Sequence, residues 1–202
     1  MISAKEISQC RSPRKLREFV AGKFTVARDN KTERHLGMQK KGEYKEFFDE
    51  IVPLSQFAAQ MYPETYLIKP ILGNQGYDAI VFDEVGTEVD KIEVTNPHDG
   101  AATAVDARLA VSRGFGRSQP NDPGDDFNAL IPFIVSACRS KSQKDYGGCT
   151  LLIAINPFPP ISGYECGFEA QVKSIVDELK KFQFKAKKVF LLVLADRIEE
   201  IQ

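Results

Sequence analysis

Two uninterrupted apolar runs, Leu151 to Ile155 and Val189 to Ala195, constrain the fold of this chain more than any other feature. A strand that is apolar at every position has no face to offer water, so it belongs inside a sheet covered on both sides. Between the two runs, Phe168 to Phe182 is amphipathic through Val172, Ile175, Val176 and Leu179. Strand, helix, strand in that order predicts a crossover to a parallel neighbour. Both runs are far shorter than the roughly 20 residues that cross a bilayer, so no membrane span is expected.

Upstream the hydrophobic period is two. Thr65 to Leu72, Tyr77 to Asp83 and Val89 to Thr95 read as an antiparallel meander, with turns at Gly73 to Gly76 and Glu84 to Glu88. Tyr44, Phe47, Phe48 and Ile51 recur at helical spacing, and Pro53 is expected to break or kink that helix before a second piece through Met61. A short helix starts near Pro13 and ends at Gly22, and the charged stretch from there to Lys41 has no clear period. Asp99 to Arg113 reads as a helix burying Val105 and Leu109, Gly114 to Asp126 as a loop, and Phe127 to Ser140 as a helix despite Pro132.

The expected fold is therefore α/β: a mixed central sheet containing a three-stranded antiparallel meander, flanked by helices. With 202 residues and 43% hydrophobic content, one core is the default. The domain reading is a single unit over 1–202, with a helical and irregular N-terminal extension at 1–42 and a core at 43–202.

Lys plus Arg number 27 against 28 Asp plus Glu, a net charge of -1, so any nucleic-acid contact must rest on a local patch. The N-terminus acquires charges too early for a secretory signal, which places the protein in the cytoplasm as an expectation. Cys10, Cys138, Cys149 and Cys166 show no zinc-ligand spacing and read as buried free thiols. There is no phosphate-binding Gly-x-x-x-x-Gly-Lys motif and no nucleophile elbow, so nucleotide-triphosphate and α/β-hydrolase chemistry lack support.

One constellation asks for chemistry. A two-residue turn at Val85-Gly86 puts Asp78 opposite Glu93 in the hairpin; because Val85 fits a positive φ poorly, a three-residue loop that shifts the register by one is the alternative. Adjacent carboxylates on a sheet repel, and a bound cation or a raised pKa would account for them. Oxygen-only ligands suit Mg²⁺ or Mn²⁺. The ordinary reading is that Asp78 begins the strand as a solvated turn residue and that Glu93 pairs with Lys91 or with a helix cation.

At these residues the chain resembles the PD-(D/E)xK, or restriction endonuclease-like, superfamily, through Asp78 and then Glu93-Val94-Thr95 on a helix and strand order covering roughly residues 44–155. The resemblance implies a nuclease core in which Asp78, Glu93 and the Val94 carbonyl hold the metal, with a glutamate such as Glu43 or Glu50 added from the preceding helix. It departs where Thr95 stands in place of the catalytic lysine. The family tolerates a lysine moved to a nearby element, which makes Lys91 and Lys69 the substitutes to test. His98 and Asp99 are further proton-transfer residues to consider, and Arg108, Arg113, Arg117 and Lys141 form a local phosphate-contacting set. Two functions follow as expectations: a metal-dependent nuclease acting on nucleic-acid phosphodiesters, or the same fold with catalysis lost, serving as a binding or assembly module. A third reading is an unrelated α/β protein in which the acidic pair is incidental.

Overall fold

The structure, a computed structural model, describes residues 2–40, 42–73, 75–97, 123–155, 165–193 and 197–202. Its centre is one open sheet of six strands in the order β1-β2-β3-β4-β5-β6. These are β1 (Leu67–Pro70), β2 (Ala79–Phe82), β3 (Glu88–Thr95), β4 (Thr150–Ile155), β5 (Lys188–Val193) and β6 (Arg197–Glu200). The first three run antiparallel, β4 lies parallel to β3 and to β5, and β6 returns antiparallel. Every residue of β4 is buried, as a continuous apolar run requires.

Alternation sends these strands into two cores. Leu152, Ala154, Phe190 and Leu192 join Ile68, Val81, Ile92 and Val94 on one face, beneath α1 (Ala4–Ile7), α2 (Pro13–Asp29), α3 (Lys31–Met38), α4 (Glu43–Glu46) and α5 (Val52–Met61). Leu151, Ile153, Val189 and Leu191 point the other way, against Ile134 and Cys138 of α6 (Pro123–Ser142) and Val172, Ile175 and Leu179 of α7 (Glu165–Leu179). No helix among the described residues is long and apolar enough to cross a membrane. Cys138 and Cys149 are buried free thiols, whereas Cys10 is free and exposed. The expected helix at 99–113 with Val105 and Leu109, the residues His98, Asp99, Arg108, Arg113 and Arg117, and Cys166 lie outside the described residues or side chains.

Several local expectations change. Gly22 does not end the first helix: α2 continues to Asp29, because one glycine costs only about 1 kcal/mol and Leu16 and Val20 hold the helix on the core. The stretch without a clear period contains α3, started by Asn30, whose side chain accepts the N–H groups of Thr32 and Glu33. A second helical piece does run through Met61 with Pro53 in its first turn, as expected, but the chain passes into it through a π turn at Phe47–Ile51, closed by the Val52 N–H donating to the Phe47 carbonyl five residues back, and continues as α5. Proline offers no N–H to the carbonyl four residues before it, and the wider turn takes up that defect.

A carboxylate ties the two halves of the sheet together. Asp90 on β3 accepts the Tyr62 hydroxyl at 2.7 Å and the Thr150 hydroxyl at 2.8 Å, with Lys187 Nζ at 3.4 Å. Burial, then the charge and hydrogen bond of Asp90, push the Tyr62 hydroxyl pKa upwards, so it stays a donor.

Candidate active site

The hairpin that sets Asp78 against Glu93 uses the three-residue loop, and a bulge in the strands cancels its one-residue shift. The loop has three residues: Asp83 N–H donates to the Thr87 carbonyl at 2.9 Å, and Gly86 takes the left-handed position at φ 84° that Val85 would resist. That shifts Phe82 onto Glu88, but an irregularity at Val81/Phe82 leaves Val89 unpaired and restores the count, so Val81 faces Asp90 and Ala79 faces Ile92. One residue further, Asp78 N–H donates to the Ile92 carbonyl at 2.7 Å, and Asp78 Oδ2 accepts the Val94 N–H at 2.7 Å. Asp78 thereby straddles Glu93, and Val94 meets it through its amide.

Asp78 is 9% exposed. Burial raises its pKa, the Val94 hydrogen bond opposes, the Glu93 charge raises it again, and Lys141 and Lys45 lower it; the outcome is about 6. Glu50 comes from the π turn, which packs directly on β3. Burial, then the charges of Asp78 and Glu46, lift it to about 7, against Lys45 and with a further push from Asp49. Glu46 Oε2 is buried with no hydrogen-bond partner among the described residues, and Asp49 is held by Lys40 and more loosely by Lys45 at 3.9 Å. Glu43 is exposed.

The cation that enters this cluster is Lys141, from the last turn of α6. Its Nζ lies 2.7 Å from Glu93 Oε1 and 5.6 Å from the centre of the Tyr146 ring. Burial works against its charge, but the hydrogen bond and charge of Glu93, with Tyr146, leave its pKa raised. The two lysines singled out on the strands point elsewhere. Lys91 pairs with Glu88 at 3.2 Å and lies over the Tyr77 ring, while Lys69 is exposed opposite Ile80, with its charge acting on the Cys10 thiol. Thr95 is 7% exposed, and its hydroxyl has no hydrogen-bond partner among the described residues.

The donor set is all oxygen, which selects a hard cation. Lys141 occupies Glu93 Oε1 and Val94 N–H occupies Asp78 Oδ2, so Glu93 Oε2 and Asp78 Oδ1 make no hydrogen bond among the described residues. Among the described residues no group of three or more His, Cys, Asp or Glu is placed to hold a metal ion. An ion at Asp78 and Glu93 would have at most these two carboxylates and would need water or phosphate oxygens to complete its shell, a habit known for Mg²⁺.

Comparison of the chain with family models, with curated proteins and with solved structures returns no match.

The raised pKa values have a thermodynamic consequence. Between about 4.5, the ordinary value, and about 7, folded Glu50 holds a proton that the unfolded chain has released. Its contribution to stability is thus greatest at low pH and declines as pH rises through that window. Asp78 acts in the same direction up to about 6. In EDTA, Glu50→Gln is expected to match wild type near about pH 5 and to melt at a higher temperature than wild type near about pH 8. A melting difference that does not change with pH would contradict the placement of Glu50 in the cluster.

Proposed function

We propose that this protein is a metal-dependent phosphodiesterase of the PD-(D/E)xK type acting on nucleic acid, with Asp78 and Glu93 holding Mg²⁺ or Mn²⁺, Glu50 beside them, and Lys141 in place of the lysine that position 95 lacks. The observation that carries the reading is the Lys141 ammonium 2.7 Å from Glu93, in the field of Asp78. A cation there can orient a water and stabilise the charge that develops on a phosphate. When bound, the divalent ion would supply Lewis-acid polarisation of the phosphate and lower the pKa of a water. Asp78 must release its proton to bind it, so occupancy should rise with pH through about 6.

The second reading is the same fold serving as a binding module. It is favoured by the Glu93–Lys141 pair, which partly neutralises the site without metal. The readings separate on purified protein with labelled single- and double-stranded oligonucleotides. The nuclease reading expects cleavage with Mg²⁺ or Mn²⁺, suppressed by EDTA and lost in Glu93→Gln. No cleavage, and no shift of the melting temperature by either ion, would leave the binding module.

A further inference from the structure

The balanced net charge conceals a strong segregation. Residues 1–42 hold 11 of the 27 Lys and Arg but only 4 of the 28 Asp and Glu, a surplus of seven, against a deficit of eight over residues 43–202. The structure places six of these cations, all exposed, on α2 and α3. Leu16 and Val20 of α2 face the core, while Arg14, Lys15, Arg17 and Arg28 are exposed, as are Lys31 and Arg34 of α3. Arg14 and Arg28 have acidic neighbours, Glu18 at 3.5 Å and Asp29 at 2.8 Å. Lys15, Arg17 and Lys31 have none among the described residues.

Clustered like charges do not help helices form, so folding gives no reason for this layer to be so basic. Its inner end runs into the carboxylate cluster: Lys40 and Lys45 pair with Asp49, and Lys45 acts on both Glu50 and Asp78. The 17 residues of α2 extend about 25 Å, the length of roughly seven phosphates along one strand.

We propose that the outer face of α2 and α3 is a docking surface for the phosphate backbone of a nucleic-acid strand, which it delivers to the carboxylate cluster. The choice of nucleic acid rests on the nuclease reading, but the surface does not depend on catalysis. An anionic membrane is the competing polyanion. A helix that binds membrane inserts a continuous apolar face; here Pro13, Leu16 and Val20 are committed to the core, and of the exposed large apolar residues of α2, Phe24 keeps ring contacts with Phe47 and Phe48, which leaves Val26.

The test is the salt dependence of binding of short labelled single- and double-stranded DNA in EDTA, where no cleavage occurs. Each phosphate contact contributes a slope of about -0.9 in log affinity against log salt for duplex. Lys15→Glu, Arg17→Glu and Lys31→Glu together are expected to make that slope shallower by about three and to weaken binding at least ~10-fold at low salt. If that variant misfolds, the milder Lys15→Gln, Arg17→Gln and Lys31→Gln set must move both quantities in the same direction. Unchanged affinity and slope would overturn the proposal, as would capture by phosphatidylserine vesicles with no binding of either DNA. Charge-dependent binding without any cleavage would uphold this surface while removing the catalytic reading. Cleavage with binding indifferent to the substitutions would do the reverse.

Discussion

Asp78→Asn is expected to lower metal-dependent cleavage by about 10³-fold while leaving the metal-free protein more stable than wild type near neutral pH. The two effects have one cause. The carboxylate is buried beside Glu93 and carries a pKa of about 6, so above that pH the folded state holds a charge it is poorly placed to solvate. The amide has nearly the same shape and keeps an oxygen for the Val94 N–H, so no donor is orphaned. What disappears is the negative charge a cation needs. Side chains that oppose stability and serve chemistry are the mark of a functional site, and the opposite signs of the two effects separate this account from a structural one. Cleavage assays and denaturant titrations in EDTA measure both; a variant that loses stability and retains activity would make Asp78 a structural residue.

Lys141→Met should have the other signature, with activity and stability falling together. Glu93 is only 14% exposed at its side chain, and without the ammonium it is left as a largely buried, unpaired charge. The cost is about 2 kcal/mol, below the figure for a fully buried pair because Lys141 retains some exposure. Cleavage is expected to fall about 10²-fold, the usual loss for one well-placed electrostatic group. The discriminating variant adds Thr95→Lys to Lys141→Met. Residue 95 shares the face of Glu93 and is buried, with a hydroxyl that has no partner among the described residues, so a lysine there returns a cation to the same space. Partial recovery of cleavage would assign the activity to the cation. Full activity in Lys141→Met would remove Lys141 from the chemistry.

The parts of this arrangement that could be read from the sequence were those governed by short-range periodicity. Continuous apolar runs located β4 and β5 in the sheet interior, and the amphipathic segment between them gave the parallel crossover. Asp78 could be set against Glu93 by counting along a hairpin, although the loop and bulge that produce this register each differ from the simple turn. β6 was missed because Arg197-Ile198-Glu199-Glu200 has the charged character of a protected edge and no hydrophobic alternation. The π turn was missed because nothing in a 3.6-residue pattern marks an inserted residue, and it is this turn that brings Glu50 to the site.

Lys141 was hardest to see as part of the site. It is 48 residues from Glu93, and only the parallel pairing of β3 with β4 returns the end of α6 to the level of that carboxylate. Lys91 and Lys69 were nearer in sequence and on the correct strands, but local partners hold Lys91 and the sheet edge exposes Lys69. The basic layer of α2 and α3 was hidden by the near-zero net charge, which averages two oppositely charged parts of the chain.

The proposed chemistry requires Asp78 and Glu93, with Glu50 beside them, to form a divalent-cation site. The most direct measurement is the anomalous difference density of a crystal soaked in Mn²⁺. The account predicts a peak between Asp78 Oδ1 and Glu93 Oε2, within about 2.5 Å of a carboxylate oxygen and absent from an Asp78→Asn crystal. Soaked crystals with no peak at these residues, or with a peak there that persists in the variant, would contradict it.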